Sequence, residues 1–273
     1  MEEVLVSEEV TIIIGMCMMM CVVLPIAALV IFRIRTKVSI KPAVYGLILY
    51  ISFSLGVEQL LNIVFLGINT PVASFLTSYA LPYAIYGALI AALCEGFARF
   101  FGLKLLKNDY PDKKTAITYG IGHGGMECIV IGAFSLFMSL TYAVALNSMG
   151  YEGFITSGGD ENVAAMITLA DSIMYDGSAV YYAAIYERVL TMALQIALSI
   201  LTFAAVLHPD DKRMKTLFPC AMGIHFAIDF VAALYQVGVI TNLFLEEGII
   251  TVMAAGAVYL SVRVYKNIKS SAI

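Results

Sequence analysis

The sequence predicts an all-α polytopic membrane protein with about seven transmembrane helices, and two observations carry that prediction. The chain of 273 residues is 61% hydrophobic and only 13% charged, whereas soluble domains are about a quarter charged. Several apolar runs also reach the roughly 20 residues that an α-helix needs to span a bilayer. We therefore expect a single transmembrane helical domain over residues 1–273, with the lipid bilayer as a partner and no nucleic-acid partner.

Hydrophobic runs separated by polar links define the spans. In chain order, the predicted spans cover about residues 10–32, 43–66, 79–103, 115–147, 180–207, 217–237 and 243–264. The fourth run is longer than a bilayer requires, so we expect this helix to tilt, to kink near its glycines or to protrude.

The links between the spans alternate in charge. The links after spans one, three, five and seven hold Arg33, Arg35, Lys37, Lys41, Lys104, Lys107, Lys113, Lys114, Lys212, Arg213, Lys215, Arg263, Lys266 and Lys269. The links on the other side hold no Lys or Arg and carry Asp and Glu instead. The positive-inside rule therefore predicts that the N-terminus lies outside and that the C-terminus lies in the cytoplasm.

One long link, residues 148–179, is predicted to be extracytoplasmic. Apolar residues recur within it at helical spacing, with Asp and Glu on the opposite face. They are Val163, Met166, Ile167, Ala170, Ile173 and Met174. This pattern favours an amphipathic helix resting at the outer membrane interface, and a lid or substrate-docking element is the alternative.

Ionisable residues inside the spans are functional candidates, because each costs free energy at membrane depth. His123 and Glu127 are four residues apart, and so are His225 and Asp229. Residues at this spacing lie on one face of a helix. Each pair therefore presents an imidazole and a carboxylate in the same direction.

The depth of these residues can be counted from the nearest basic link. Glu95 lies nine residues before a link lysine, His123 nine residues after one, and His225 ten residues after one. At 1.5 Å per residue, all three lie roughly 13–15 Å from the cytoplasmic boundary. Three separate helices therefore bring these groups to one level of the membrane.

Two imidazoles with carboxylate oxygens suit Zn²⁺ with an open position for water. The candidate metal ligands are His123, Glu127, His225 and Asp229, and Zn²⁺ is the expected cofactor. Glu95 is the candidate catalytic base that takes a proton from the attacking water. Arg99, one turn away, is the second candidate catalytic residue and would tune this carboxylate, with a snorkelling interfacial arginine as the alternative.

Four short stretches make the chain resemble a known family. They are Glu95 with Arg99, similar to a Glu-Glu-x-x-Arg motif; His225 with Asp229, similar to a His-x-x-x-Asn/Asp motif; GHGGME at residues 122–127; and ERV at residues 187–189. On these residues, spans two to seven resemble the YhfC family of intramembrane metalloproteases. This family is related to the CAAX prenyl protease and bacteriocin-processing superfamily and to the PrsW proteases. The resemblance implies hydrolysis of a peptide bond in a membrane or lipidated protein, in a bacterial or archaeal plasma membrane.

Two positions depart from the family pattern. Gly96 stands where the second Glu of the first motif is expected, and Gln195 stands where a His is expected. Because Gln is a poor metal ligand, a catalytically impaired relative that binds membrane partners is the second hypothesis. A proton-coupled membrane transporter is the third, since buried Asp, Glu and His also mark proton pathways.

Overall fold

A computed structural model describes residues 5–175 and 177–268. Within these residues there is no β-strand, and we number nine helices in chain order. They are α1 Glu8–Thr36, α2 Lys41–Gly67, α3 Pro71–Ser78, α4 Ala80–Leu106, α5 Lys114–Thr156, α6 Val163–Tyr175, α7 Ser178–Leu207, α8 Lys212–Gln236 and α9 Leu243–Asn267. The predicted all-α fold is confirmed.

In the part of the chain that is described, six helices are long and apolar enough to cross a membrane: α1, α2, α5, α7, α8 and α9. These helices confirm the prediction of a polytopic membrane protein. Helix α4 occupies the position of the predicted third span and has 27 residues, but it is not among the six. The count of seven spans and the orientation of the termini therefore stay predictions.

Helix α5 contains two departures from regular α-helical geometry. Cys128–Ala133 form a π turn, and Gly150 adopts a φ of 69°, which kinks the helix. A residue with a side chain is strained at such a positive φ, whereas glycine adopts it readily. This kink lies just beyond the predicted fourth span, in the part of α5 that extends into the predicted outer link.

Internal contacts divide the chain into two compact units. Unit 1 comprises the described residues of Met1–Leu24 and Glu127–Val189, and unit 2 comprises those of Pro25–Met126 and Leu190–Ile273. The prediction of one domain over residues 1–273 stays a prediction.

Unit 1 has its own apolar core, and the predicted outer segment contributes to it. Helix α6 buries Ala170 and Ile173 in this core, and Asp171 accepts a hydrogen bond of 3.2 Å from the Tyr151 hydroxyl. All six residues of the predicted apolar face are buried or partly buried, while Ala164, Ala165 and Thr168 on the other face are exposed. The amphipathic helix is therefore present, and it packs against the other helices of its unit.

Unit 2 contains two apolar clusters that pack its helices around the ionisable residues. Tyr119 of α5 lies in the first cluster with Leu103 of α4 and Phe203 of α7. The second cluster joins α7, α8 and α9 through residues such as Leu198, Ile228 and Ile250. Burial of this apolar surface brings α4, α5, α7 and α8 together.

Glycines on α5 allow neighbouring helices to approach its backbone. A Cβ atom at Gly122 would overlap the carbonyl of Ala43 on α2, and one at Gly120 would lie 2.6 Å from the Cα of Ile196 on α7. Real Cβ contacts are longer than this, so neither position accepts a side chain without moving a helix. The close approach to the backbone around His123 is therefore made by the chain's own helices.

Replacing Gly122 by Ala is expected to destabilise unit 2 by about 1–3 kcal/mol, because the added methyl group overpacks a helix contact made by backbone atoms. Gly223→Ala on α8 is the matched control, since a Cβ there meets nothing within 4 Å. Thermal unfolding in detergent measures both variants. Equal midpoints for the two variants would contradict the close packing of α2 on α5.

Candidate active site

Glu95 is the centre of a buried polar cluster in unit 2. Its Oε2 atom accepts hydrogen bonds from Arg99 Nη2 at 2.9 Å, Gln195 Nε2 at 3.0 Å and His123 Nε2 at 3.1 Å. His225 Nε2 lies 3.6 Å from the same oxygen. Side chains from four helices therefore converge on one carboxylate oxygen.

Arg99 supplies the positive charge of this cluster. It lies one turn from Glu95 on α4 and is only 1% exposed, and it also donates a hydrogen bond to Gln195 Oε1. Gln195 thus accepts from the guanidinium and donates to the carboxylate, which joins the two charged groups through an amide. A buried ion pair needs such additional hydrogen bonds to offset the cost of removing both charges from water.

His123 is fully buried and held between aromatic rings. Its ring centroid lies 5.2 Å from that of Tyr50 in an edge-on arrangement and 6.0 Å from that of Tyr119 in a stacked one. The Tyr119 hydroxyl donates a hydrogen bond of 2.9 Å to the carbonyl of Ala98. This bond ties α5 to α4 one turn from His123, so the imidazole has little freedom to turn away from Glu95.

His225 and Asp229 form the outer part of the cluster on α8. His225 Nε2 lies 3.3 Å from Asp229 Oδ2, and the Asp229 side chain is 29% exposed whereas that of His225 is 2% exposed. Each imidazole turns its Nε2 atom toward a carboxylate oxygen, so we assign its hydrogen to that nitrogen. The residues that form ion pairs in this cluster are Glu95, Arg99, His123, His225 and Asp229. Asp229 has the most exposed side chain among them.

The structure therefore brings five of the six predicted site residues into one unit, and their roles stay predictions. Those five are Glu95, Arg99, His123, His225 and Asp229. Glu127 ends the α-helical turn that carries His123 and belongs to unit 1, so its part in a shared site also stays a prediction.

Sequence reasoning did not foresee three features of the cluster. Gln195 was identified only as a departure from a family pattern, yet it contacts both members of the ion pair. Tyr119 could have been inferred, because it lies four residues before His123 and shares its helix face. No sequence signal identified Tyr50, whose contact with His123 comes from helix packing alone.

We tested whether the donors present fit the predicted Zn²⁺. A zinc-bound imidazole normally donates its other ring N–H to a nearby acceptor, but the Nδ1 atoms of His123 and His225 have no hydrogen-bond partner. Arg99 also places a positive charge 2.9 Å from the carboxylate oxygen on which the imidazoles converge. Among the described residues, no group of three His, Cys, Asp or Glu side chains is arranged to hold a metal ion. In this arrangement the donors do not fit Zn²⁺.

Comparisons with known proteins identify the family of the chain. The family model described as YhfC intramembrane metalloprotease matches residues 20–250. The chain is 26% identical over 260 residues to a protein of Bacillus subtilis strain 168 called "Uncharacterized membrane protein YhfC", covering 95% of this chain and 98% of the relative. No solved structure matches the chain significantly. With six apolar helices and a membrane-protein relative, the chain is an integral membrane protein, and it belongs to the YhfC intramembrane metalloprotease family.

Proposed function

We propose that the chain is an intramembrane peptidase that hydrolyses a peptide bond of a membrane or lipidated protein, with Glu95 as the general base. The observation that carries this proposal is the convergence of two imidazoles, a guanidinium and an amide on one oxygen of Glu95. A carboxylate held by this many donors is kept in one position, and a fixed base is what proton abstraction from water requires. The family name supports the reaction class.

The proposed reaction has two proton transfers. Glu95 takes a proton from a water molecule as its oxygen attacks the scissile carbonyl carbon, and it then gives this proton to the leaving nitrogen as the C–N bond breaks. The water sits beside Glu95, where the Nε2–H groups of His123 and His225 are shared between the carboxylates and the water and so hold it in position. Asp229, the most exposed member of the cluster, orients His225.

Arg99 has a positioning role in this scheme. Its guanidinium contacts Glu95 and Gln195, and it keeps the base oriented while the charge of Glu95 is cancelled and restored during the reaction.

A second function is favoured by a different observation. A Cβ atom at Gly96 would lie 2.8 Å from Met222 Cγ, so a second Glu there would have to displace the Met222 side chain. This supports the alternative of a catalytically impaired relative that binds membrane partners.

Cleavage of membrane peptides by the purified full chain tests the proposal. We expect wild-type protein in proteoliposomes to cut a single-span peptide and to incorporate ¹⁸O from labelled water at the new C-terminus. His123→Ala should reduce the rate by about 10²-fold or more, since it removes the donor that positions water. A wild-type protein that cuts none of a broad peptide set, yet still binds some of them, would favour the impaired relative.

Zinc content is a separate prediction. Because the donors do not fit Zn²⁺ as arranged, we expect purified wild-type protein to hold well below one equivalent of zinc by elemental analysis. Gln195→His adds a third imidazole beside His123 and His225, a ligand set typical of zinc sites, and should raise the zinc content. One equivalent in wild type that is lost in His123→Ala would instead show that His123 is a zinc ligand. Cleavage found only in Gln195→His would identify a recently disabled enzyme.

A further inference from the structure

We propose that a basic pocket between α4 and α8 binds an anionic phospholipid. The cavity has a volume of about 650 Å³ and is bordered by four lysines, two from the C-terminal end of α4 and its following residue and two from the start of α8. They are Lys104, Lys107, Lys212 and Lys215. None of them belongs to the cluster around Glu95, and this site does not depend on peptidase activity.

All four lysines line the same cavity. Lys104 lies in the last turn of α4 and Lys107 directly follows the helix, whereas Lys212 and Lys215 are three residues apart in the first turn of α8, a spacing that puts that pair on one helix face. Within the described chain, none of the four forms an ion pair with a carboxylate. Like charges around one cavity repel each other, and a bound anion would remove this repulsion.

The acidic residue next to Lys212 in the sequence, Asp211, hydrogen-bonds to the backbone. Asp211 precedes the first turn of α8, and its Oδ1 atom accepts hydrogen bonds from the backbone N–H groups of Arg213 at 2.8 Å and Met214 at 3.4 Å. Asp211 therefore caps the helix end. It does not line the pocket, which has four lysines and no acidic residue among its described lining residues and so carries a net positive charge.

The remaining walls of the pocket are apolar. The rings of Phe100 and Phe218 lie 4.8 Å apart between centroids, and Val206, Pro209 and Pro219 also line the cavity. At about 30 Å³ per water molecule, the space is several times larger than a free phosphate ion needs. Lysines beside an aromatic wall match a phosphate headgroup followed by glycerol and the start of an acyl chain.

The predicted membrane position of the pocket agrees with this occupant. Its lysines belong to the basic links that the charge pattern places on the cytoplasmic side. Basic pockets between transmembrane helices on this side are suited to the headgroups of anionic lipids. A phospholipid could therefore enter from the bilayer with its phosphate at the level of the lysines.

Lipid titration of the purified full chain tests the proposal, with bound lipid counted by native mass spectrometry. The probes are phosphatidylglycerol, phosphatidylcholine and soluble glycerol 3-phosphate. We expect saturable binding of phosphatidylglycerol, with the other two at least about tenfold weaker. The pair Lys104→Gln and Lys212→Gln, one lysine from each wall, should weaken phosphatidylglycerol binding about thirtyfold.

Two further variants separate a pocket from general surface charge. Thr216→Trp fills the cavity without changing its charge and should weaken binding at least about tenfold. The control pair Arg33→Gln and Arg263→Gln removes two exposed charges from other basic links and should change binding less than about threefold. Equal losses in the two charge pairs, unchanged binding in Thr216→Trp, or equally tight binding of glycerol 3-phosphate would each overturn the proposal.

Discussion

Replacing Glu95 by Gln is expected to reduce peptide cleavage by about 10²- to 10⁴-fold, the contribution typical of a general base. The amide keeps the shape of the side chain but cannot take a proton from water. Cleavage of the membrane peptide in proteoliposomes measures this loss. Glu58→Gln is the matched control, because it removes another carboxylate of the same unit that lies outside the cluster, and it should leave the rate within about threefold of wild type.

The Glu95→Gln variant also leaves the Arg99 charge without its ionic partner, so its folding must be measured beside its activity. Glu95→Asp provides the second variant: it keeps the negative charge but withdraws the carboxylate by roughly one bond length. A displacement of about 1 Å is enough to cost about 10²-fold in rate. A folded Glu95→Asp protein with wild-type activity, or equal cleavage by wild type and Glu95→Gln, would end the assignment of Glu95 as the base.

Replacing Arg99 by Met is expected to lower the free energy of unfolding by about 3–5 kcal/mol, the largest stability effect that we predict. The substitution leaves the Glu95 carboxylate buried at 5% exposure with only neutral donors, and an unpaired buried charge is strongly destabilising. Chemical or thermal unfolding in detergent measures the change. Arg263→Met is the control, since Arg263 is exposed, and its effect should stay within about 0.5 kcal/mol.

A double-mutant cycle separates the ion pair from the packing of the arginine side chain. If the pair dominates, the double variant Glu95→Gln with Arg99→Met should be more stable than Arg99→Met alone, because no charge is left buried without a partner. Additive losses would show instead that Arg99 acts through the packing of its aliphatic stem. The cycle thus tests the electrostatic description of the site independently of any enzymatic assay.

Much of the architecture could be predicted because it depends on local composition. A helix that crosses lipid must satisfy its backbone hydrogen bonds internally and present an apolar surface, so each predicted span corresponds to one helix. The positions of Glu95, His123 and His225 along their helices could be counted from the basic links for the same reason. Their chemistry pointed to a shared site before any contact between helices was known.

The partners of these residues could not be predicted in this way. Gln195 reaches Glu95 and Arg99 across 96 or more residues of sequence, and the contact exists because glycines let α7 approach α5. The assignment of Glu127 to unit 1 and the kink at Gly150 likewise follow from packing and backbone geometry that hydropathy does not record.

The sequence by itself determined that this is a helical membrane protein, and it predicts that Glu95, His123 and His225 lie at one level of the membrane. These properties follow from the free energy of transferring each segment into lipid, which adds up residue by residue along the chain. Only the tertiary structure decided that Arg99, His123 and Gln195 all donate hydrogen bonds to one oxygen of Glu95. The physical reason is that the close packing of small and large side chains determines which helices become neighbours.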